Sequence, residues 1–431
     1  MLVVSNPHSG DKSGDAFLRE IVVPFLKRHR EGLVIDFQQT NAPGHAGELA
    51  SNYLSNYTAK ENPIIVISGG DTTIHEVFNG PGIATSSIKA KAEIILIPSG
   101  TANAMYHSLF PPDRVQEFLD GLKEELLSEL RAFSEEQRGK FYSVLHFLNN
   151  QQPRNLQSTR TRVVGHDGSI VHEVVSCVVV STCEAHPKTY IEVLIRLVAL
   201  HASILDVAEE LRSEYPGIER FKIAAGRSIK QWSQATVKIH YPYQVYDASS
   251  RRFKIRNNPQ DGSEELSIFS GPYAYFLTTT NVDRLEAQFR IAPLATSSPA
   301  GDKEWMELLM IRPSRDPSFS LTSNWERDEG IREQFAPKSM QILQGAYQNG
   351  AHVDMSYNET GQIIGNDPSP GKEVVEYLRV REWSWHPDRS SSVAHLVCVD
   401  GQVLPVPVGG FVTATLLTGE NKAKLSVYGG I

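Results

Sequence analysis

The sequence predicts a two-domain α/β protein: an N-terminal parallel-sheet domain (residues 1–140) and a C-terminal antiparallel, β-sandwich-like domain (residues 141–431). Three observations support this prediction. The chain has 431 residues, more than a single hydrophobic core usually serves. Up to about residue 140, short apolar runs alternate with helical patterns, which is typical of a parallel sheet covered on both faces. Beyond that point, β-branched runs recur at short intervals, which favours an antiparallel sandwich with helical insertions.

Four buried strands are predicted in the first domain, because short β-branched runs are bounded there by Gly, Pro or Asn. They span residues 2–5, 33–37, 64–68 and 94–97. Helical spacing is found over residues 15–29, 43–57, 74–78 and 122–133. Pro43 suits the first turn of its helix. Pro24 lies inside a helical pattern and is expected to kink or end that helix.

The second domain is predicted to consist mainly of short strands. They span residues 174–181, 235–241, 274–279, 305–311, 374–383, 394–399 and 412–417. A sustained 3.6-residue period predicts one helix over residues 191–211. Two polar stretches, residues 247–265 and 314–330, are rich in Ser, Arg, Asp, Gly and Pro, so we expect mobile surface loops there.

Composition and charge narrow the class of protein. The chain carries 42 basic and 50 acidic residues, a formal charge of −8, and no block of Lys and Arg stands out. We therefore expect no nucleic-acid partner. Three cysteines cannot form a disulfide framework, which suggests a reducing compartment. The first residues lack the pattern of a signal peptide and no apolar run approaches eighteen residues, so the expected location is cytoplasmic.

Three loops rich in Gly, Ser and Thr follow the first, third and fourth predicted strands. They are residues 6–14, 68–80 and 97–104. In an open α/β sheet the carboxyl ends of the strands form the ligand-binding edge. Loops there that also begin helices direct backbone N–H groups at a common point, which suits phosphate oxygens. The sequence thus predicts a nucleotide-binding edge on the first domain.

Asp71 is the acidic residue of the middle loop. A carboxylate among phosphate-binding loops can act as a general base, accepting the proton of an attacking hydroxyl during phosphoryl transfer. The structural alternative is a solvated turn aspartate or a helix N-cap. Nearby, residues 75–79 (His-Glu-Val-Phe-Asn) begin like a zinc-protease motif but place Asn79 where the second histidine ligand must be.

These loops resemble those of the diacylglycerol kinase and sphingosine kinase superfamily. Residues 6–10 resemble its Asn-Pro-x-(Ser/Gly)-Gly segment, residues 69–80 its Gly-Gly-Asp-Gly-Thr signature with the downstream Glu-Val-x-Asn-Gly, and residues 98–103 its Pro-x-Gly-(Thr/Ser)-x-Asn motif. Residues 206–221 look like the lipid head-group and triphosphate segment of sphingosine kinases, and residues 289–293 and 399–402 echo later family signatures. The resemblance covers nearly the whole chain and is closest to the sphingosine kinase branch.

The resemblance implies roles for individual residues. Asp71 would be the catalytic base, and either Asp206 or Glu209 would face the polar head of the lipid. The residues expected to contact ATP are Asn6, Thr40, Gly69, Gly70, Thr101 and Arg220, with Asp400 and Gly401 closing over the nucleotide from the second domain. Ordinary structural roles compete with several of these: a solvated helix face for Asp206 and Glu209, a strand-end turn for Thr40, a surface ion pair for Arg220, and a hairpin turn for Asp400 and Gly401.

Two residues depart from the family pattern. Thr72 stands where the family has glycine, and if that position has φ > 0 a β-branched residue costs about 1–2 kcal/mol. Gln402 stands where the family usually has Glu after Asp-Gly. An amide cannot accept a proton or neutralise magnesium as a carboxylate can. Together the two changes make a weakened kinase an alternative.

The resemblance therefore predicts an ATP- and Mg²⁺-dependent lipid kinase with its active site in the cleft between the domains. No metal ligand is assigned. The expected acceptor is the primary hydroxyl of a sphingoid base, with transient contact to a membrane surface as a peripheral protein. A diacylglycerol kinase and a nucleotide- or lipid-binding pseudokinase are the alternatives. The likeness after residue 170 argues against an NAD kinase, which shares the Gly-Gly-Asp loop.

Overall fold

The computed structural model describes residues 1–85, 87–182, 229–230, 232–258, 266–295, 305–319, 329–365, 371–391, 393–419 and 424–430. The described strands, in chain order, are β1 (Leu2–Ser5), β2 (Asp36–Gln39), β3 (Ile64–Gly69), β4 (Ala92–Pro98), β5 (Arg154–Asn155), β6 (Thr159–Val164), β7 (Ile170–Ser176), β8 (Val179–Thr182), β9 (Ala235–His240), β10 (Tyr243–Asp247), β11 (Arg252–Arg256), β12 (Leu266–Ser270), β13 (Tyr275–Thr279), β14 (Met306–Ile311), β15 (Ser356–Tyr357), β16 (Ile363–Ile364), β17 (Lys372–Glu373), β18 (Glu376–Val380), β19 (Glu382–Pro387), β20 (Leu396–Val399), β21 (Gln402–Pro405), β22 (Phe411–Leu416) and β23 (Leu425–Val427).

The described helices lie mostly in the first 150 residues. They are α1 (Gly14–Phe17), α2 (Val23–His29), α3 (His45–Leu54), α4 (Asp71–Phe78), α5 (Ala104–Leu109), α6 (Val115–Asp120), α7 (Glu124–Leu130), α8 (Glu135–Gly139), α9 (Tyr142–Leu148) and α10 (Glu329–Tyr347). A π-helical turn, Leu18–Val22, joins α1 to α2, and short 3-10 turns span Pro313–Arg315, Ala351–Asp354 and Val393–His395. Within these residues no helix is both long and apolar enough to cross a bilayer.

The first sheet has the order β2-β1-β3-β4-β23-β5, and all its pairs are parallel except β23–β5. The predicted parallel sheet is therefore confirmed. Its last two strands come from beyond residue 140, so the chain crosses back into this sheet near its C-terminal end. The boundary at residue 140 stays a prediction. Strands β1, β3 and β4 are buried, as their apolar sequences require.

The second half contains two large antiparallel sheets. One has eight strands in the order β11-β10-β18-β14-β13-β8-β20-β21, and the other has six, β12-β9-β19-β22-β6-β7. A buried apolar cluster draws residues from both sheets. At its centre the ring of Phe276, from the first sheet of this pair, lies 5.0 Å and 4.8 Å from the rings of Trp383 and Trp385, from the second. The predicted sandwich is confirmed.

Several local predictions differ from the structure. Strand β11 lies inside the polar stretch 247–265 that was expected to be a loop, because an edge strand with exposed side chains lacks an apolar signal. The predicted run 174–181 is two strands, β7 and β8, separated by a turn. The helix also continues through Pro24, since the preceding π-helical turn leaves that proline in the first turn of α2, where no N–H is needed. Helix α10 was not predicted, and residues 191–211 lie outside the described residues.

Candidate functional site

The three predicted loops meet at the carboxyl ends of β1, β3 and β4. The Asn6 N–H donates to the carbonyl oxygen of Ser68 (2.9 Å), and the Ser99 N–H donates to that of Gly69 (3.2 Å). The hydroxyls of Ser68 and Ser99 lie 3.2 Å apart. Because each loop is bonded to the middle one, the predicted edge is one continuous surface.

Glycines allow this close approach. A Cβ on Gly100 would lie 2.4 Å from Cα of Gly70, so the last loop could not pack on the middle one with a larger residue at position 100. A Cβ on Gly10 would lie 2.2 Å from the carbonyl oxygen of Ser99, and Gly10 also has φ +52°. Both positions therefore require glycine.

Helix α4 begins at this surface without a side-chain cap. Its N-cap is Gly70 in an extended conformation, so no side chain covers the first N–H groups of the helix. The Thr73 N–H already donates to the Gly70 carbonyl (3.0 Å), whereas those of Asp71 and Thr72 have no acceptor inside an α-helix, and the helix dipole adds partial positive charge there. The start of α4 is thus suited to an anion such as a phosphate.

The other residues expected to bind ATP through the first domain also lie at this edge. Asn6 shapes the first loop: its Oδ1 accepts the His8 N–H (3.1 Å) and its Nδ2 donates to the Thr73 hydroxyl (3.1 Å). Thr40 follows β2, is buried, and donates its N–H to Ser5 (2.9 Å). Thr101 is exposed in the last loop. Their contacts with a nucleotide stay predictions.

Asp71 is the first residue of α4, and its side chain bridges to the start of α5. Oδ2 accepts the Ala104 N–H (2.8 Å) and Oδ1 accepts the Met105 N–H (3.0 Å). Burial raises the pKa of Asp71 to about 6, although these two N–H groups act in the opposite direction, and the charge of Asp400 raises the pKa further. Each carboxylate oxygen keeps one lone pair, so Asp71 can still accept a proton near neutral pH.

Asp71 also borders a small hollow behind the strand ends. The hollow is lined by Gly69, Gly70, Asp71, Ile74, Leu96, Ile97, Pro98, Asn103 and Tyr106. Most of this lining is apolar, which accounts for the desolvation that raises the pKa of the carboxyl group.

Asp400 and Gly401 form the turn between β20 and β21, with φ of 48° and 96°. The Asp400 carboxylate is fully buried and accepts hydrogen bonds from six groups. They are the Ser176 hydroxyl (3.0 Å), the backbone N–H groups of Cys177 (2.8 Å), Val178 (3.0 Å) and Val179 (2.6 Å), His75 Nδ1 (3.1 Å) and the Cys177 thiol. Asp400 therefore organises the β7–β8 turn, and its contact with a nucleotide stays a prediction.

Helix α4 joins the two domains through residues that the sequence interpretation did not assign. His75 Nδ1 contacts Asp400, and His75 Nε2 lies 3.1 Å from Oε1 of Gln402. One turn later, the Asn79 side chain accepts the Val175 N–H (2.7 Å) and donates to the Val175 carbonyl (2.8 Å). Residues 75 and 79 have the i, i+4 spacing of the zinc-protease motif, which places them on one face of the helix. That face contacts the second domain.

The structure shows the surroundings of Thr72 and Gln402, the two residues that depart from the family pattern. Thr72 lies in the first turn of α4, is exposed, and is not among the residues with positive φ. The backbone strain that its β-branched side chain would cause at φ > 0 is therefore absent. The Gln402 side chain contacts His75.

Three of the predicted site residues, Asp206, Glu209 and Arg220, lie outside the described residues. Within the described residues, no group of three His, Cys, Asp or Glu side chains is placed to hold a metal ion. A dedicated protein cage for a metal is thus not seen in this part of the chain.

Comparisons with known proteins agree with the first-domain motifs. Residues 1–134 match the family model of the diacylglycerol kinase catalytic domain. No curated protein matches the chain. The chain is similar to a diacylglycerol kinase from Bacillus anthracis str. Sterne at 12% identity and a TM-score of 0.44, over 99% of this chain and 96% of that one. It is also similar to yeast NADH kinase complexed with NADH, at 9% identity and a TM-score of 0.36, over 99% and 82% of the two chains.

The family match supports the superfamily and the kinase class indicated by the loops. It ends at residue 134 of 431 and so does not include residues 206–221, on which the sphingosine kinase resemblance depended.

Proposed function

We propose that the protein transfers the γ-phosphate of ATP to the primary hydroxyl of a lipid, with sphingoid bases as the leading substrates. The observation that carries this proposal is the meeting of three glycine-containing loops around Asp71. The uncapped start of α4 offers N–H groups to phosphate oxygens, and the pKa of Asp71 lies close to neutral.

The reaction follows from these groups. Asp71 accepts the proton of the acceptor hydroxyl as that oxygen forms a bond to the γ-phosphorus. The bond between the γ-phosphorus and the β,γ-bridging oxygen breaks, and ADP leaves with the electron pair. The main contribution of the protein to such a transfer is positioning and compensation of charge.

Magnesium would enter this site as a partner of the nucleotide. Mg²⁺ usually keeps several waters and is held by substrate phosphates with one or two carboxylates. The described residues contain no three-residue metal cluster, which agrees with an ion that enters with ATP. Bound in that way, it would neutralise charge on the phosphate oxygens.

Two lipids remain as candidate acceptors. The sphingoid base is supported by the resemblance of residues 206–221, where Asp206 or Glu209 could pair with the ammonium group of the lipid. Diacylglycerol is supported by the family model that matches residues 1–134. Either substrate is presented at a bilayer, so the proposal includes peripheral contact with a membrane surface.

A binding protein without turnover is the second candidate function. It was suggested by Thr72 and Gln402, but the ordinary helical backbone at Thr72 removes one of its two supports. Gln402 still supports this candidate, because an amide cannot accept a proton as a carboxylate can.

A kinase assay with matched acceptors tests the proposal. Purified protein is incubated with ATP labelled at the γ-phosphate, Mg²⁺ and phosphatidylcholine vesicles containing sphingosine, diacylglycerol or no added lipid, with NAD⁺ as a soluble acceptor. We expect labelled sphingosine phosphate and little product elsewhere. Labelled phosphatidic acid would move the assignment to diacylglycerol, and labelled NADP⁺ would contradict a lipid acceptor. Nucleotide binding without any product would favour the binding protein.

A further inference from the structure

Residues 71, 75 and 79 lie on one face of α4, spaced four apart. Asp71 stands at the phosphate-binding edge, while His75 and Asn79 contact the second domain. Any rotation of α4 against the second domain would therefore also move Asp71. The His75 ring is 6% exposed, so water does not easily replace its contacts.

The His75 ring is held at both nitrogens by residues of one hairpin. Nδ1 lies 3.1 Å from Asp400 Oδ2, and Nε2 lies 3.1 Å from Gln402 Oε1. Asp400 in turn is fixed by the β7–β8 turn, so it cannot follow a moving helix. The Asn79 amide donates its two hydrogens to the backbone carbonyl groups of His75 and Val175. The hydrogen-bond partners of the His75 ring are therefore the hairpin residues Asp400 and Gln402.

We propose that His75 and Gln402 are positioning residues: with Asp400 they form a latch that fixes α4, and therefore Asp71, against the second domain. The latch itself is independent of the reaction, whereas its effect on turnover rests on the proposed function.

The amide of Gln402 suits this latch in both states of the ring. When Nε2 carries a hydrogen, the amide oxygen accepts a hydrogen bond from it; when Nε2 carries none, the amide can turn and donate an N–H to it instead. A carboxylate can only accept. Glu at position 402 would thus complete the latch only with a doubly protonated ring, because Nδ1 must still donate to Asp400. Glutamine can therefore act as donor or acceptor towards Nε2, whereas glutamate can only accept.

Three substitutions test the latch by hydrogen exchange, which does not require activity. His75→Phe keeps the ring volume and removes both polar contacts, and Gln402→Leu removes the contact at Nε2. We expect the amides of residues 74–79 to exchange about tenfold faster in either variant, as for the loss of a hydrogen bond, while the sandwich strands are unchanged. Gln402→Glu keeps an acceptor at this position and removes the N–H donor, so its exchange should lie between that of the wild type and that of Gln402→Leu.

Turnover gives a second measurement, and His107→Phe is the matched control. His107 lies on α5 beside the site, and its ring has no hydrogen-bond partner among the described residues. If the latch positions Asp71, His75→Phe should lower kcat about tenfold with KM for ATP within about twofold, and the control should do neither.

The outcomes separate the latch from the proposed function. Unchanged exchange in His75→Phe, or acceleration spread evenly over the whole chain, would overturn the latch. Exchange in Gln402→Glu equal to that of the wild type would overturn the role of the amide. Local acceleration with kcat unchanged would overturn the positioning role. If the wild type phosphorylates no lipid, the proposed function fails while the exchange measurements still decide the latch.

Discussion

Asp71 and Asp400 both lie beside a glycine, Asp71 at the start of α4 and Asp400 in the β20–β21 turn, yet their surroundings differ. Asp71 accepts two backbone N–H groups, remains partly exposed, and has its pKa raised to about 6 by burial. Asp400 is completely buried and accepts from six groups. A carboxylate with so many donors has little capacity left for chemistry, whereas Asp71 keeps free lone pairs. The difference separates a group that can react from a group that holds the fold.

The largest effect is expected at Asp71. Asp71→Asn removes the proton acceptor and should reduce lipid phosphorylation by roughly 10²–10⁴-fold. Nucleotide binding should stay largely intact, because the N–H groups of α4 remain. Turnover and calorimetric ATP binding are the measurements. Near-normal phosphorylation in this variant would remove Asp71 from the role of base.

Asp400 should instead affect stability. Asp400→Ala leaves buried N–H groups of the β7–β8 turn without an acceptor, so the free energy of unfolding should fall by about 3–5 kcal/mol. Urea titration measures the loss. Asp388→Ala is the control, because the Asp388 carboxylate accepts from Ser390 in an exposed turn and its removal should cost below about 1 kcal/mol. Equal losses in the two variants would contradict the structural role of Asp400.

The next largest effect is expected at the close contact between Gly70 and Gly100. Gly100→Ala forces the loops apart and should weaken ATP binding by roughly tenfold, since overpacking costs about 1–3 kcal/mol. Gly139→Ala is the control, as a Cβ there meets no atom within 4 Å. An unchanged dissociation constant for Gly100→Ala would show that the close approach is not needed for binding.

Thr72 should have the smallest effect. Because its backbone is helical, Thr72→Gly relieves no strain and should lower stability by less than about 0.5 kcal/mol. Turnover should stay within about twofold of the wild type. A tenfold rise in turnover would show that the threonine side chain obstructs the site, and would support the weakened-kinase alternative.

Much of the first domain could be predicted from the sequence, because buried strands and glycine turns leave local patterns. Helix α4 was expected to begin at Ile74, since Gly-Gly-Asp is typical of a loop; it begins at Asp71. Strand β23 was not predicted, because three residues carry too little pattern. The loops around Asp71 were located by their turn chemistry and family resemblance. The contact of His75 with Asp400 joins residues 325 positions apart and depends on sheet register, so no local signal could reveal it.

The most direct test of Asp71 as the base is the pH dependence of single-turnover phosphoryl transfer. Its pKa of about 6 lies above the ordinary value of 3.8, so the carboxyl group is ionised above pH 6 and protonated below it. For the wild type we predict a rate that is constant above about pH 7 and that decreases below pH 6, approaching a tenfold decrease per pH unit. The residual rate of Asp71→Asn should not show this decrease. A wild-type rate that stays level down to pH 5, or the same decrease in Asp71→Asn, would contradict the account.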